Sequence, residues 1–286
     1  MRPSASWIGR EVDGRYRIVR PLGGGGMGSV YEAEHLRLGK RVALKVIRPE
    51  LVADDEIRER FEREARATAS IDHPHVITAM DFGPLPDGGA YLVTQLVRGI
   101  SLRERMSAGA IRWREACELG AQIADALSAI HGLGFVHRDL TPDNVLLTKR
   151  DDGTTSAHLL DLGVVGLTDE AAHRPRLTAE GHIVGTPGYM APEQALGEAV
   201  DARADLYALG VLLWEMCSGR TLFEEQALTQ VVARQLTEPI PPIEPPRGAV
   251  PPQLASLVNA LATRHREERP AHASAVRDEL RALGGV

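Results

Sequence analysis

Residues 135–147 read FVHRDLTPDNVLL. Two short apolar segments enclose a polar stretch with a proline near its centre, which predicts two strands joined by a loop. We refer to residues 137–144 as the polar loop. Farther along, the apolar residues 159–160 lead directly into Asp161, Leu162 and Gly163. The chain on either side of the polar loop differs in character, with strand patterns before it and helical patterns around and after it.

The N-terminal part carries the strand patterns. Short runs rich in β-branched and aromatic residues are separated by glycine, proline and charged turns. These runs occupy residues 16–19, 30–34, 42–47 and 91–96. A mostly β segment is therefore predicted from about residue 10 to about residue 95.

The C-terminal part is helical. From residue 113 onward apolar residues recur at helical spacing, and Gly132 and Gly134 are expected to end the first helix. Residues 206–214 form the longest apolar stretch, bounded by Asp205 and Glu215, as in a helix at the centre of a domain, and the proline-rich residues 239–252 predict a surface connector. The fold class is therefore α+β, with two lobes and a cleft between them.

A glycine-rich loop lies between the first two predicted strands. It contains the pattern Gly23-x-Gly25-x-x-Gly28-x-Val30, which alone is also compatible with a flexible hairpin. A Walker A loop requires Lys-Ser/Thr after the last glycine, and a dinucleotide fingerprint requires a helix there. Residues 29–47 instead alternate like two strands. The pattern favours a β-hairpin folded over nucleotide phosphates.

Lys45 and Glu64 are predicted to form an ion pair. In the second strand of the hairpin, Lys45 lies between two apolar neighbours on its own face, although a solvated strand lysine is the more common case. In the predicted helix 55–71, Glu64 lies in the middle of the apolar stripe. A buried carboxylate needs a cationic partner, and Lys45 is suitable.

Composition excludes several classes of protein. The chain has 286 residues, 43% hydrophobic and 25% charged, which excludes disorder, collagen and coiled coil as the main architecture. A net charge of −6 does not support binding to nucleic acid. Cys117 and Cys217 are too few for a disulfide scaffold and suit a reducing compartment. Without a signal peptide or an apolar run of membrane length, we expect a cytoplasmic protein with no membrane span.

Taken in order, these motifs resemble a bacterial Hanks-type serine/threonine protein kinase. The resemblance runs from about residue 15 to about residue 280, nearly the whole chain. It implies a single protein kinase domain over 1–286, with a small β-rich N-lobe (16–97) that contains one main helix and a larger helical C-lobe (98–286). It also implies ATP and Mg²⁺ as cofactors, with Mn²⁺ as an alternative.

The resemblance assigns the catalytic roles. Asp139 would accept the proton of the substrate hydroxyl, and Asn144 and Asp161 would ligate the metal. Lys45 would hold the α- and β-phosphates, with Glu64 steadying it.

The resemblance also assigns a nucleotide site. The residues of this site would enclose the phosphates, sandwich the adenine or form hydrogen bonds to it through their backbone. Thr94 would lie at the back of the pocket. The site residues are Leu22, Gly23, Gly24, Gly25, Gly26, Met27, Gly28, Ser29, Val30, Ala43, Lys45, Gln95, Val97 and Leu146.

Residues 185–194 resemble the substrate platform of such kinases. Thr186 lies in this segment, and Glu193 is expected to pair with Arg269. Asp205 is expected to bond to the backbone of the polar loop. We interpret Glu193, Asp205 and Arg269 as structural residues.

Two positions depart from the pattern of the family. Thr141 replaces the lysine that reaches the γ-phosphate, and a neutral hydroxyl cannot supply that charge, so reduced activity is expected. In the activation segment, residues 161–193, Thr178 or Thr168 could carry a phosphate held by Arg138, but Gly166 replaces a second basic residue found in many relatives.

The resulting prediction is a kinase that phosphorylates serine and threonine in proteins, including its own chain, for which a homodimer is one arrangement. One alternative is an ATP-binding pseudokinase scaffold, suggested by Thr141. Another is a small-molecule phosphotransferase of the antibiotic-kinase type, disfavoured by residues 137–139 and the platform segment.

Overall fold

The computed structural model describes residues 5–24, 28–53, 58–59, 62, 65–66, 69–160, 187–223, 227–246 and 248–285. They fall into two compact units. The β-rich unit holds the described residues up to 72 together with 77–98. The helical unit holds 73–76, 99–160 and the described residues from 187 onward.

The β-rich unit contains one antiparallel sheet of six strands. The strands are β1 (Glu11–Val12), β2 (Tyr16–Gly24), β3 (Gly28–His35), β4 (Lys40–Ile47), β5 (Ala79–Pro84) and β6 (Ala90–Gln95). Their order in the sheet is β1-β2-β3-β4-β6-β5. The four predicted strands are present, and β3 and β4 form the predicted hairpin. The sequence patterns do not single out β1 and β5, because β1 is only a residue pair and β5 exposes apolar Met80.

The two faces of β4 pack into different apolar clusters. Val42 and Leu44 lie in a cluster with Tyr31, and Val46 packs against it. Ile47 lies in a second cluster, with Leu92 of β6. Because side chains alternate along a strand, Lys45 shares the face of Ile47. The predicted division of this strand into two faces is confirmed.

Part of the predicted helix 55–71 is described. Residues 58–59, 62, 65–66 and 69 are helical, and Ala65 is buried in the same cluster as Ile47. Glu64 lies outside the described residues.

The helical unit combines a small sheet with seven α-helices among its described residues. The sheet has the order β7-β8-β9, with β7 at Ile100–Ser101, β8 at Val145–Lys149 and β9 at Thr155–Leu159. The helices are α1 (Leu102–Ser107), α2 (Trp113–Gly132), α3 (Pro192–Ala195), α4 (Arg203–Ser218), α5 (Leu228–Thr237), α6 (Pro252–Leu261) and α7 (Ala273–Gly284).

Helix α4 is the centre of the helical unit. Every residue from Ala204 to Ser218 is buried, as predicted from its apolar sequence. Two glycines allow close packing around it. A Cβ on Gly210 would lie 2.7 Å from the Cβ of Leu261 in α6, and a Cβ on Gly120 of α2 would lie 2.8 Å from Leu213. The helices therefore approach closely, and at Gly210 the backbone N of Ala262, 2.9 Å from such a Cβ, leaves no room for a side chain.

The apolar segment before the polar loop is not a strand, so this part of the prediction was wrong. The backbone N–H of Phe135 donates to the carbonyl of Ile130 in α2, and the N–H of His137 donates to the side chain of Asp205. Because these donors bond to a helix end and a carboxylate, they are not available for a strand ladder. Only the segment after the loop, β8, forms a strand.

The described residues between α5 and α6 are neither helix nor strand, in agreement with the predicted proline-rich connector. Within the residues that the structure describes, no helix combines the length and apolarity needed to cross a bilayer.

Candidate active site

Asp139 and Asn144 contact each other inside the polar loop. The Nδ2 of Asn144 donates to the backbone oxygen of Asp139 at 2.8 Å and to its Oδ2 at 2.9 Å. The backbone N–H of Asn144 donates to the carbonyl of Thr141 at 3.0 Å, which closes the short 3₁₀ turn Pro142–Asn144. Proline suits the first position of such a turn because its φ is already fixed. The turn therefore sets the orientation of the Asp139 carboxylate.

Asp205 fixes the start of the polar loop. This carboxylate is 1% exposed and accepts the backbone N–H groups of His137 at 2.8 Å and Arg138 at 2.7 Å. The Nε2 of His131 lies 2.8 Å from its Oδ2. Arg138 has a φ of 64°, in the left-handed region that residues other than glycine seldom adopt. The predicted bond from Asp205 to the loop backbone is confirmed.

Leu160 joins both ends of the polar loop. The Nε2 of His137 lies 2.9 Å from the carbonyl oxygen of Leu160, and because a carbonyl only accepts, this nitrogen carries the hydrogen. The backbone N–H of Leu160 donates to the carbonyl of Asn144 at 2.8 Å. The chain is thereby held against the loop up to the residue that precedes Asp161.

The segment 187–194 also bonds to the polar loop. Gln194 donates its Nε2 to the carbonyl of Arg138 at 3.1 Å, and its Oε1 accepts the backbone N–H of Ala191 at 3.1 Å. The left-handed backbone of Arg138 is therefore bonded on both sides, through its N–H to Asp205 and through its carbonyl to Gln194.

The predicted pair of Glu193 and Arg269 is present and buried. Arg269 donates from Nη1 to Oε1 at 2.6 Å and from Nη2 to Oε2 at 2.9 Å. Its other donors reach the backbone carbonyls of Thr263, Arg203 and Arg264. All five N–H groups of the guanidinium are thus bonded, as a buried arginine requires. The pair anchors the end of segment 187–194 in the core.

A second polar chain runs from the core to the polar loop. Glu215 of α4 is 2% exposed and accepts the hydroxyl of Tyr189 at 2.6 Å and the backbone N–H of Leu222 at 2.9 Å. Burial raises the pKa of the Glu215 carboxyl, and the bonds from Tyr189 and Leu222 offset part of that rise. The guanidinium of Arg103 lies over the Tyr189 ring, with Cζ 5.6 Å from its centroid, and Nε donates to Asp143 at 3.1 Å.

Lys45 is a buried lysine of the β-rich unit. It is 8% exposed and lies in register with Val30 on β3 and Leu92 on β6. Ala43, on the same face, lies in register with Thr94. The predicted environment of Lys45, between apolar neighbours on a strand, is therefore observed.

The described glycines of the glycine-rich loop lie where β2 ends and β3 begins. Gly23 and Gly24 lie in register with Val30 and Ser29. A Cβ on Gly28 would overlap the carbonyl oxygen of Val46, so only glycine fits where β3 passes β4. Leu22 is exposed, Gln95 ends β6 and Val97 follows it.

The predicted site is divided between described and undescribed residues. Asp139, Asn144 and Leu146 belong to the helical unit, whereas Lys45 and the hairpin residues belong to the β-rich unit. The predicted site residues outside the described part of the chain are Gly25, Gly26, Met27, Glu64, Asp161, Thr178 and Thr186.

Residues 16–280 match the family model described as "Protein kinase domain". The chain belongs to the protein kinase family. The predicted family and the predicted fold, a β-rich lobe followed by a helical lobe, are confirmed. Membership implies the use of ATP with a divalent metal ion and action on protein substrates.

This kinase domain is similar to curated kinases of bacteria. It is 35% identical over 97% of its length to serine/threonine-protein kinase pkn3 of Myxococcus xanthus and 41% identical over 93% to Pkn1 of the same organism. It spans 51% and 38% of those two proteins, respectively. Among solved structures it resembles the PknI kinase domain of Mycobacterium tuberculosis, with a TM-score of 0.70, 27% identity and coverage of 96% of this chain and 98% of that one.

The donor set of the kinase domain fits a nucleotide-bound divalent metal. Asn144 uses its Nδ2 on Asp139, which leaves its amide oxygen as the ligand atom, and hard cations such as Mg²⁺ prefer oxygen. In the described residues no group of three or more His, Cys, Asp or Glu side chains could hold a metal by itself. In kinase sites Mg²⁺ is bound by one or two protein ligands together with substrate phosphates, and the Asn144 amide oxygen would be one such protein ligand.

Sequence reasoning missed Glu215, Tyr189 and Arg103. The one indication in the sequence is Glu215 itself, a carboxylate directly after an apolar run. If this acid is buried, it needs a hydrogen-bond donor nearby. Nothing local to Tyr189 or Arg103 indicates their contacts, since the partners lie 26 and 40 residues away.

Proposed function

We propose that this kinase domain transfers the γ-phosphate of ATP to serine and threonine hydroxyls of proteins. The observation that carries the proposal is the contact between Asn144 and Asp139, which orients a carboxylate beside a metal-ligating amide. The names of the relatives, all serine/threonine kinases, favour catalysis over a scaffold without activity.

In the proposed reaction, Asp139 accepts the proton of the substrate hydroxyl as its oxygen bonds to the γ-phosphorus. The bond from that phosphorus to the β,γ-bridging oxygen breaks, and ADP leaves. Asn144 keeps Asp139 oriented and offers its Oδ1 to the metal. Lys45, steadied by Glu64, neutralises the α- and β-phosphates. Asn144 and Asp161 would hold Mg²⁺, which would supply positive charge to stabilise the negative charge that develops on the leaving ADP.

The nucleotide is proposed to bind beneath the glycine-rich loop that joins β2 and β3. Leu22, Val30, Ala43 and Leu146 would enclose the adenine, and the backbone of Gln95 and Val97 would bond to it. The absence of a side chain at Gly28, which the contact with Val46 requires, supports a backbone able to approach phosphates closely.

We also propose that the domain phosphorylates its own chain, with two copies acting on each other. Thr178 is the expected acceptor of the phosphate, and Arg138 would bind the resulting phosphothreonine. Phosphopeptide mapping of active protein should find Thr178 modified, and active protein without that modification would contradict it. A cytoplasmic location is supported by the two free thiols, Cys117 and Cys217.

The test of the main proposal is incubation with labelled ATP, Mg²⁺ and a generic basic protein. Wild type should label serine or threonine, and Asp139→Asn should lower the rate by about 10²-fold or more, because the proton acceptor is lost. Asp151→Asn, an exposed acid in a β-hairpin turn, is the matched control and should retain the full rate. A wild-type rate equal to that of Asp139→Asn would contradict the proposal.

A further inference from the structure

Arg103 and Asp143 form an ion pair at the rim of the polar loop. The Nε of Arg103 lies 3.1 Å from Oδ2 of Asp143, and the two side chains are 37% and 57% exposed. Arg103 is the second residue of α1, a helix whose start is fixed by the Oγ of Ser101 accepting the N–H of Glu104 at 3.0 Å. The pair is therefore accessible to a substrate and is held on a defined backbone.

A second contact, with Tyr189, holds the Arg103 side chain in position. Its guanidinium lies over the Tyr189 ring, with Cζ 5.6 Å from the ring centroid, and the hydroxyl of that ring donates to buried Glu215. A flexible surface arginine would sample many positions, but this one is held between a carboxylate and an anchored aromatic ring. Its charge consequently remains beside Asp143.

Asp143 lies next to the predicted catalytic residues of the polar loop. It directly precedes Asn144, whose Nδ2 bonds to Asp139. An exposed carboxylate at this place would attract a lysine or arginine that flanks the acceptor hydroxyl of a bound substrate. With Arg103 bonded to it, the charge of Asp143 is cancelled, and the pair presents no net charge to the substrate.

We propose that Arg103 is a specificity-determining residue that masks Asp143 and so removes a preference for basic side chains next to the acceptor serine or threonine. The proposal rests on the proposed kinase function. The substrate class that follows is a protein segment that needs no lysine or arginine at the positions that reach Asp143, so that neutral and acidic side chains are accepted there as well.

The test compares peptides that differ only in charge. A serine peptide is scanned with Arg, Ala or Glu at each of the positions flanking the acceptor, and kcat/KM is measured for wild type, Arg103→Gln and Arg103→Gln/Asp143→Asn. In Arg103→Gln, the ratio of Arg to Ala peptide should rise about threefold to tenfold at one position, mainly through a lower KM, since an exposed ion pair contributes little more than this. High salt should reduce the gain.

The double variant and the single Asp143→Asn variant complete the test. Adding Asp143→Asn should abolish the gain, because the attracting carboxylate is gone. Asp143→Asn alone should shift preference toward the Glu peptide, because Arg103 is then uncompensated. Arg105→Gln is the matched control, a neighbouring arginine on the same helix that pairs with Glu115 at 3.1 Å, and it should leave the ratios unchanged.

The outcomes separate this inference from the kinase proposal. If wild type phosphorylates none of the peptides or proteins offered, the proposed function fails. If wild type phosphorylates peptides but Arg103→Gln leaves every charge ratio unchanged, or if its gain persists in the double variant, the masking role is overturned while the kinase function stands.

Discussion

Asp205 accepts the backbone N–H of Arg138 at 2.7 Å, at the residue whose φ is 64°. The two residues lie 67 positions apart, so the bond joins the central helix α4 to the loop that contains Asp139. A left-handed backbone at a residue other than glycine costs roughly 1–2 kcal/mol and persists only where surrounding contacts determine it. The core of the helical unit therefore sets the conformation of the polar loop.

Replacing Asp205 with Asn should weaken both folding and activity. The carboxylate now accepts from two backbone N–H groups, whereas an Asn side chain would present an NH₂ group to one of these donors. We expect the free energy of unfolding to fall by about 2–3 kcal/mol and kcat to fall by about tenfold or more. Urea unfolding and a phosphorylation assay measure these effects.

Asp201→Asn is the control for that variant. Asp201 is partly exposed and bonds mainly to Arg203, two residues away, so its loss should change neither quantity appreciably. An Asp205→Asn protein as stable and as active as Asp201→Asn would show that the loop keeps its shape without the carboxylate.

Breaking the pair of Glu193 and Arg269 should be among the most damaging changes in the helical unit. Glu193→Gln leaves a fully buried guanidinium without its counter-charge, and removal of one partner of a buried pair typically costs about 3–5 kcal/mol. The midpoint and slope of urea unfolding should report the loss. Glu267→Gln removes a surface partner of Arg266 and should leave the midpoint unchanged, so similar midpoints for the two variants would refute a stabilising role of the buried pair.

Thr141→Lys should increase the rate of phosphate transfer. The introduced amine would supply a cation for the transferred phosphate, and one such charge contact is typically worth about 10²–10³-fold, although Thr141 is buried and repacking around the lysine offsets part of that gain. Initial rates of autophosphorylation, with Thr141→Val as the uncharged control, measure the change. An unchanged or lower rate in a folded Thr141→Lys protein would show that the missing cation does not limit turnover.

Burial of His75 should make stability fall in mild acid. Burial lowers the pKa of His75, the bond from its Nδ1 to the carbonyl of Ala157 opposes this, and the positive charges of His73, Arg150 and His158 add to the lowering. The folded protein therefore binds fewer protons than the unfolded chain between the lowered pKa and the ordinary value near 6.5. Stability is complete above that ordinary value and is lost as the pH falls through the lowered pKa.

Thermal unfolding at pH 7.5, 6.5 and 5.5 tests this sign. The decrease in Tm between pH 7.5 and 5.5 should be smaller in His75→Gln, which cannot be protonated, than in wild type. His272→Gln removes an exposed histidine and should keep the wild-type decrease. An equal decrease in His75→Gln and wild type would rule out His75 as a source of the acid sensitivity.

Several features were readable from the sequence because they depend on neighbours along the chain. Alternation of side chains predicts which residues of β4 share the face of Lys45, and an unbroken apolar run predicts the buried helix α4. The pairing of Glu193 with Arg269 was available only through resemblance to a family, since nothing local to either residue indicates the other. Glu215 shows the limit of periodicity, because an acid at the edge of an apolar run is equally compatible with a solvated helix end and a buried hydrogen-bond acceptor.

By itself, the sequence determined the strands of the β-rich unit, the central helix and the residue types of the polar loop, because propensity and periodicity act over a few positions. The tertiary structure alone decided that Phe135 bonds to a helix end and His137 to Asp205 instead of forming a strand, and that Arg103 pairs with Asp143. Those outcomes depend on donors and acceptors that meet only after folding. The free energy of satisfying buried polar groups then outweighs the local preference of the chain.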